Sequence, residues 1–195
     1  MEKNESMDEI KNHPFIKTDR LILRQWNKND FEPFARINAD PKVQKYFPKL
    51  LTREESDHKI LQFQKHIEKF GWGFWVVSLS ENGECIGTVG LQNTPFQAHF
   101  VPAVYVGWRL AFEHWGKGYA TEGALAVLRY GFETLRLDEI VSYTAVENTG
   151  SRRVMEKIGM HYNPKDDFNR PAYPEAHPLT RQVLYRLRRD EWKKQ

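Results

Sequence analysis

Apolar and polar residues alternate along residues 20–26 (RLILRQW), the period of a half-buried strand. Residues 29–40 (NDFEPFARINAD) predict a short helix capped by Asn29. Pro33 falls among its first four amides, which lack intrahelical partners in any helix. Thr52-Arg53-Glu54-Glu55 fits a capping box, and Ile60, Phe63, Ile67 and Phe70 then recur at helical spacing as a core-facing stripe. Two alternating runs, 73–79 and 84–92, flank Asn82-Gly83 and predict a hairpin. A third strand is expected over 99–110, with Gly107 marking a bulge or a close backbone approach. Beyond it the pattern predicts a helix over 120–135, a strand over 138–146, a short helix over 148–160 closed by Gly159, and a strand over 180–187. Hairpins first and strand-helix-strand afterwards predict a mixed α/β sheet with helices on its faces. Residues 1–17 are expected to be a flexible arm and 18–195 a single domain.

Charge narrows the function. With 29 basic and 26 acidic residues the chain carries +3 and no basic stripe, so no nucleic-acid partner is expected. No run of 18 apolar residues exists, and the polar start lacks the apolar core of a signal peptide, so no membrane partner and a cytoplasmic location are expected. Cys85 is the single cysteine, which rules out a disulfide within the chain and fits a reducing compartment. It lies in an alternating run and reads as a buried structural thiol. No metal site is expected.

The stretch HWGKGYATEGA, 114–124, places two glycines at the mouth of a helix. Glycine permits strained backbone and close approach, and the first helical amides are unpartnered at the positive end of the dipole. Gly116, Lys117, Gly118, Tyr119 and Ala120 would therefore aim amides at a phosphate. The P-loop pattern is absent, because Gly118 stands where Ser or Thr is needed. The dinucleotide pattern fails at Thr121 and would also want a parallel strand order. Taken alone, the glycine turn is equally a structural one.

The segments GWRL, HWGKGYATEG and ENTGSRRVMEKIGM, in order and with similar spacing, resemble the acetyl-coenzyme A-binding half of the GNAT superfamily of N-acetyltransferases. The branch they most resemble looks like the ribosomal-protein N-terminal (alanine) acetyltransferases and their relatives. TDRLILRQW and HPLTRQVLYRL resemble its two ends, so the likeness spans about residues 18–190. It implies a mostly antiparallel sheet of about seven strands, splayed in the middle. It also implies acetyl transfer from acetyl-CoA to an amine by direct attack, in a monomer or homodimer. Trp115 holds the place where the family's phosphate loop usually carries Gln or Arg.

The resemblance also assigns roles. The pantetheine arm would lie between the strands VYVGWRL and EIVSYTAV, bonded by the amides of Trp108, Arg109 and Leu110, with Trp108 as wall or core. The turn from Trp115 to Thr121 would hold the pyrophosphate. Asn148 either caps its helix or bonds a pantetheine amide; Ser151 is a proton donor near the sulfur; Arg152 or Arg153 reaches the coenzyme phosphates or faces solvent. For the base, relatives often carry a glutamate before the phosphate loop, where this chain has Tyr105. Glu122 and His177 are the remaining candidates, and an α-ammonium, with pKa about 7.7–8.0, needs little help near pH 7. The acceptor, a protein N-terminus or a small amine such as a polyamine, would enter between the early helices and the loop 163–178, where Asp166-Asp167 would attract a cation or simply face water.

Overall fold

The computed structural model describes residues 16–171 and 173–192; the expected arm therefore lies outside the described residues except for 16 and 17, which are paired in a strand. In chain order the elements are β1 (Ile16–Lys17), β2 (Leu21–Arg24), α1 (Phe31–Ala39), α2 (Pro41–Gln44), α3 (Arg53–Phe70), β3 (Phe74–Leu79), β4 (Cys85–Asn93) and β5 (Val104–Leu110). Then follow α4 (Tyr119–Arg129), which runs on as a π-helical turn over Tyr130–Thr134, and β6 (Glu139–Ala145), α5 (Thr149–Lys157), β7 (His161–Tyr162), β8 (Phe168–Asn169), β9 (Arg181–Arg188) and α6 (Arg189–Trp192). One open sheet runs β1-β2-β3-β4-β5-β6-β9-β7, with β8 also on β9. Among the described residues it has nine strands against the expected seven: six longer ones that the periodicity predicts, and three of two residues each, too short to show a period, that join the edges. Among the described residues only β5–β6 is parallel.

Helices cover both faces of the middle strands, which is why β3 is buried at every position. Phe74 stacks on Phe63 of α3 at 5.0 Å, whereas its neighbour Trp75 meets Tyr130 beyond α4 at 5.5 Å, edge on. The α1–α3 layer and the α4–α5 layer thus lie on opposite sides. A smaller apolar cluster, Phe100, Val141, Phe168 and Leu184, continues the α1–α3 face across β6 and β9.

Several local expectations change. Asn27, not Asn29, is the cap: its side chain accepts from the Asn29 amide (2.8 Å) over a short 3-10 turn, while Asp30 bonds back to the Asn27 amide (2.7 Å). Asp30 is buried and also takes both guanidinium nitrogens of Arg24 at 2.7 Å. The Thr52–Glu55 capping box forms as predicted. Phe70 leaves the core stripe, 41% exposed, because the helix ends at left-handed Gly71 and the ring packs on His66 and Trp72 instead. Residues 99–103 are loop, since Pro102 has no amide for a ladder; Thr94 N closes the loop onto Ala103 O at 2.9 Å. Gly107 sits in regular register opposite Gly90, without a bulge. The irregularity is one pair of strands away, between Val77 and Ser78 against β4. Cys85 is a half-buried free thiol whose pKa burial pushes up to about 11.

Gly90 shows how tightly the middle strands are drawn together. A β-carbon there would stand 2.2 Å from Gly73 O and 2.4 Å from the Phe74 Cα, both backbone. Gly90→Ala is expected to cost about 3 kcal/mol or more, read as a lowered urea midpoint.

Candidate active site

The glycine turn is built as its sequence demands. Gly116 and Gly118 have φ +74° and +85°, a left-handed region that residues with a β-carbon rarely enter. Gly118 is the N-cap of α4, whose first bond runs from Glu122 N to Gly118 O at 3.0 Å. Among the described residues no carbonyl outside the helix takes the amides of Gly116 through Thr121, and residues 115–118 are exposed. Here α4 presents a row of free donors at its positive end.

Arg20 holds that turn from β2's side. Its guanidinium donates to Lys117 O (2.9 Å) and to Glu122 (2.7 Å), and lies 4.6 Å over the ring of Tyr119. Glu122 in turn accepts from Thr18 Oγ1 at 2.6 Å and from the Arg20 amide at 2.9 Å. Burial alone would push the Glu122 carboxyl up, but Thr18 and Arg20 outweigh it and hold it below the usual range. A carboxylate so occupied ties β2 to α4, and the same bonds make it a weaker base than a free one. Trp115 contributes by structure: its indole donates to Leu110 O at 2.9 Å, bridging the end of β5 to the turn, with the ring 46% exposed.

Between β5 and β6 the sheet opens. A single register pair, Tyr105 with Val141, joins them. Ala111 N donates to Ile86 O (2.9 Å), and bonding alternates along an antiparallel ladder. Gly107 and Arg109 therefore turn their amides to β4, while Trp108 and Leu110 turn theirs into the gap. The Arg109 amide is thus removed from the expected set of donors. The Trp108 indole is half-buried and packs on the main core.

At the start of α5, Asn148 is a cap: its Oδ1 accepts from Ser151 N (3.2 Å), and its Nδ2 donates to Thr144 Oγ1 (2.8 Å) and to Ser151 Oγ (3.1 Å). Ser151 Oγ accepts, so its hydrogen is free to be donated. The Arg152 guanidinium donates to Val146 O (3.1 Å) and Tyr185 Oη (3.3 Å), and Arg153 is exposed.

On the α1–α3 face of the gap, the Arg109 side chain lies 3.9 Å over the Phe47 ring and donates to Asn38 Oδ1. Asn38 is fully buried and is itself fixed by Ser56 (2.8 Å) and Gln44 (3.2 Å). Burial lowers the Arg109 pKa to about 10, still charged at pH 7. Tyr105 donates to Gln92 Oε1 at 3.0 Å, and burial pushes its pKa up to about 12, so it cannot replace the missing glutamate as base. His177 Nδ1 accepts from Leu179 N (3.1 Å), so that nitrogen is already engaged. Asp166 and Asp167 are engaged by Arg186 (2.9 Å) and Arg181 (3.3 Å), which removes the expected attraction for a cationic acceptor. The side-chain roles of Arg20, Asn38 and Arg109 escape sequence reading, because each depends on a partner far along the chain.

The Arg20–Glu122 tie carries a pH signature. A carboxyl whose folded pKa is depressed stabilises above its unfolded value, about 4.3, and loses that contribution as pH falls through the folded one. Glu122→Gln is expected to cost about 1 kcal/mol at pH 7, a figure already discounted for the half-exposed Arg20, with the gap from the parent closing in denaturation curves taken below pH 4.

A family model described as acetyltransferase (GNAT) domain matches residues 20–161. The uncharacterized N-acetyltransferase YnaD of Bacillus subtilis is 30% identical over 180 residues, covering 91% of this chain and 98% of that protein. FsC-acetyl coenzyme A-N(2)-transacetylase of Aspergillus fumigatus is 30% identical over 190 residues, covering 94% and 80%. The crystal structure of a GNAT-family acetyltransferase from Bacillus anthracis aligns with TM-score 0.76 at 28% identity, over 91% of this chain and 99% of that one. The matched region holds the glycine turn, the open strand edge and the capped α5 together, and the chain belongs to the GNAT superfamily of acetyl-CoA N-acetyltransferases.

Proposed function

We propose that this protein moves an acetyl group from acetyl-CoA to a primary α-amine, with a protein or peptide N-terminus as the acceptor. One observation carries the reading: free amides run from the open edge of β5, at Trp108 and Leu110, to the exposed turn from Gly116 to Thr121. The first set suits an extended amide-bearing arm, and the second suits a diphosphate. Acetyl-CoA supplies the activated acetyl thioester; the chain supplies position and protons. Ser151 Oγ, turned by the Asn148 amide, holds a hydrogen for the departing sulfur. An α-amine already releases its proton near pH 7, which suits a site whose Glu122 and His177 are both engaged elsewhere. A second reading, a small-molecule amine, is favoured by the Aspergillus relative, whose name specifies an N(2)-transacetylase.

Thiol release from acetyl-CoA, run against peptide and small-amine panels, tests the reaction and divides the two acceptors. Coenzyme binding without release for any amine would sink the transferase and leave an acyl-CoA sensor. Two substitutions test the placement. Gly118→Asp and Gly118→Asn put side chains of the same shape on the same strained left-handed backbone, so the strain cancels and their difference reads charge. The aspartate variant is expected to bind coenzyme at least about tenfold more weakly than the asparagine one, by calorimetry. Equal affinities would remove the diphosphate from this turn. Ser151→Ala should lower kcat roughly 100-fold while coenzyme affinity stays near the parent value; an unchanged kcat would end the donor role.

A further inference from the structure

We propose that the acceptor amine belongs to a molecule carrying an anionic group, a carboxylate or phosphate, and that Arg170, Lys59 and Arg109 form the seat for that group. The inference rests on the acetyl-transfer reading and names the class of substrate for the same cleft.

Three elements bring these cations to one side of the β5–β6 gap. Arg109 projects from β5, on the face of Tyr105, and Lys59 comes from α3 with its ammonium 5.4 Å over Phe63. Arg170 follows β8, its amide pinned to Thr180 O at 2.9 Å. The Arg170 guanidinium stands 5.8 Å from the ring of Tyr143 on β6, and 5.6 Å from those of Phe96 and Tyr173. Tyr143 and Tyr105 straddle the gap with ring centroids 5.1 Å apart. Arg170 thus borders the opening from the β6 side and Arg109 from the β5 side.

The cluster lacks its counter-charge. Among the described residues, none of the three cations is ion-paired, whereas the arginines of β9 hold Asp166 and Asp167. Arg170 Nε and Tyr173 Oη are both buried with no partner among the described residues. Burial lowers the Lys59 pKa, and Arg109 and Arg170 lower it further by repulsion, so the three share one field. Bare buried guanidinium nitrogens are costly, and a carboxylate or phosphate is the group whose oxygens match them. The same field repels a polyamine and lowers the pKa of an amine held nearby, which favours its reactive form.

Matched acceptors test this. Each pair differs by one anionic group: an α-amino acid against its amide, a peptide with Asp or Glu second against Asn or Gln, and aminoethyl phosphate against aminoethanol. The peptide pair keeps the α-amine nearly constant, and the three pairs distinguish a free carboxylate, a peptide side chain and a phosphate. The anionic member of at least one pair is expected to show a KM lower by about 10–100-fold. Arg170→Gln should erase most of that preference through KM with little change in kcat, Arg170→Lys should restore part of it, and Lys59→Met, half-buried on α3, should weaken it too. Thermal shift with the same pairs reads the seat without turnover. Turnover indifferent to charge in every pair would overturn the anionic seat and leave the transferase standing. Charge-selective thermal shift, lost in Arg170→Gln, without any turnover would keep the seat and sink the transferase. Neither turnover nor charge-selective shift would overturn both.

Discussion

The site depends on a failure of pairing. β5 and β6 run parallel and share one register pair, beside which Ser142 Oγ donates to Val106 O (2.9 Å), so the sheet opens just where its middle strands would otherwise close. A strand edge with unpaired amides inside a sheet is a liability unless something extended lies along it. Here the edge is held open from both sides. β4 grips β5 over seven consecutive register pairs, and β9 grips β6 over another seven. The gap is therefore the seam between two well-knit halves. The glycine turn and α4 follow directly from the end of β5, which places the free helix amides in line with the free strand amides.

Positive charge reaches the cleft in two forms, one on each face of the sheet. On the α4 side it is backbone: partial charges of unpartnered amides, with Arg20 tying the turn to β2. On the α1–α3 side it is side chains, Lys59, Arg109 and Arg170, set among aromatic rings. Backbone amides cannot be displaced, which suits a ligand whose diphosphate is always the same. Side chains on a loop and a helix can vary, which suits the part of the site that selects an acceptor.

Much of the interior serves to aim a few polar groups. Asn38, Gln44 and Ser56 form a buried chain whose free acceptor goes to Arg109. The satellite cluster of Phe100, Val141, Phe168 and Leu184 anchors the two loops that flank Tyr143 and Arg170. Buried polar chains of this kind hold geometry only when every member is satisfied, and a change at Asn38 would be felt at Arg109.

The order of elements, the Asn82-Gly83 hairpin, the Thr52 cap and the glycine-opened α4 were legible in the chain, because each depends on residues within a turn or two of one another. The family segments were legible for the same reason: their glycines and caps are local. Tertiary structure alone decided the rest. Glu122 reads as a candidate base until Thr18 and Arg20, about a hundred residues away, occupy it. That Arg152 bonds Tyr185 and Val146 O is invisible in the sequence around it. Lys59 and Arg170, in an ordinary helix and an ordinary loop, acquire meaning only when folding brings them into the field of Arg109, with no ion-pair partner among the described residues. Periodicity reports which way a residue faces; what it faces depends on contacts between distant segments, and those carry no period.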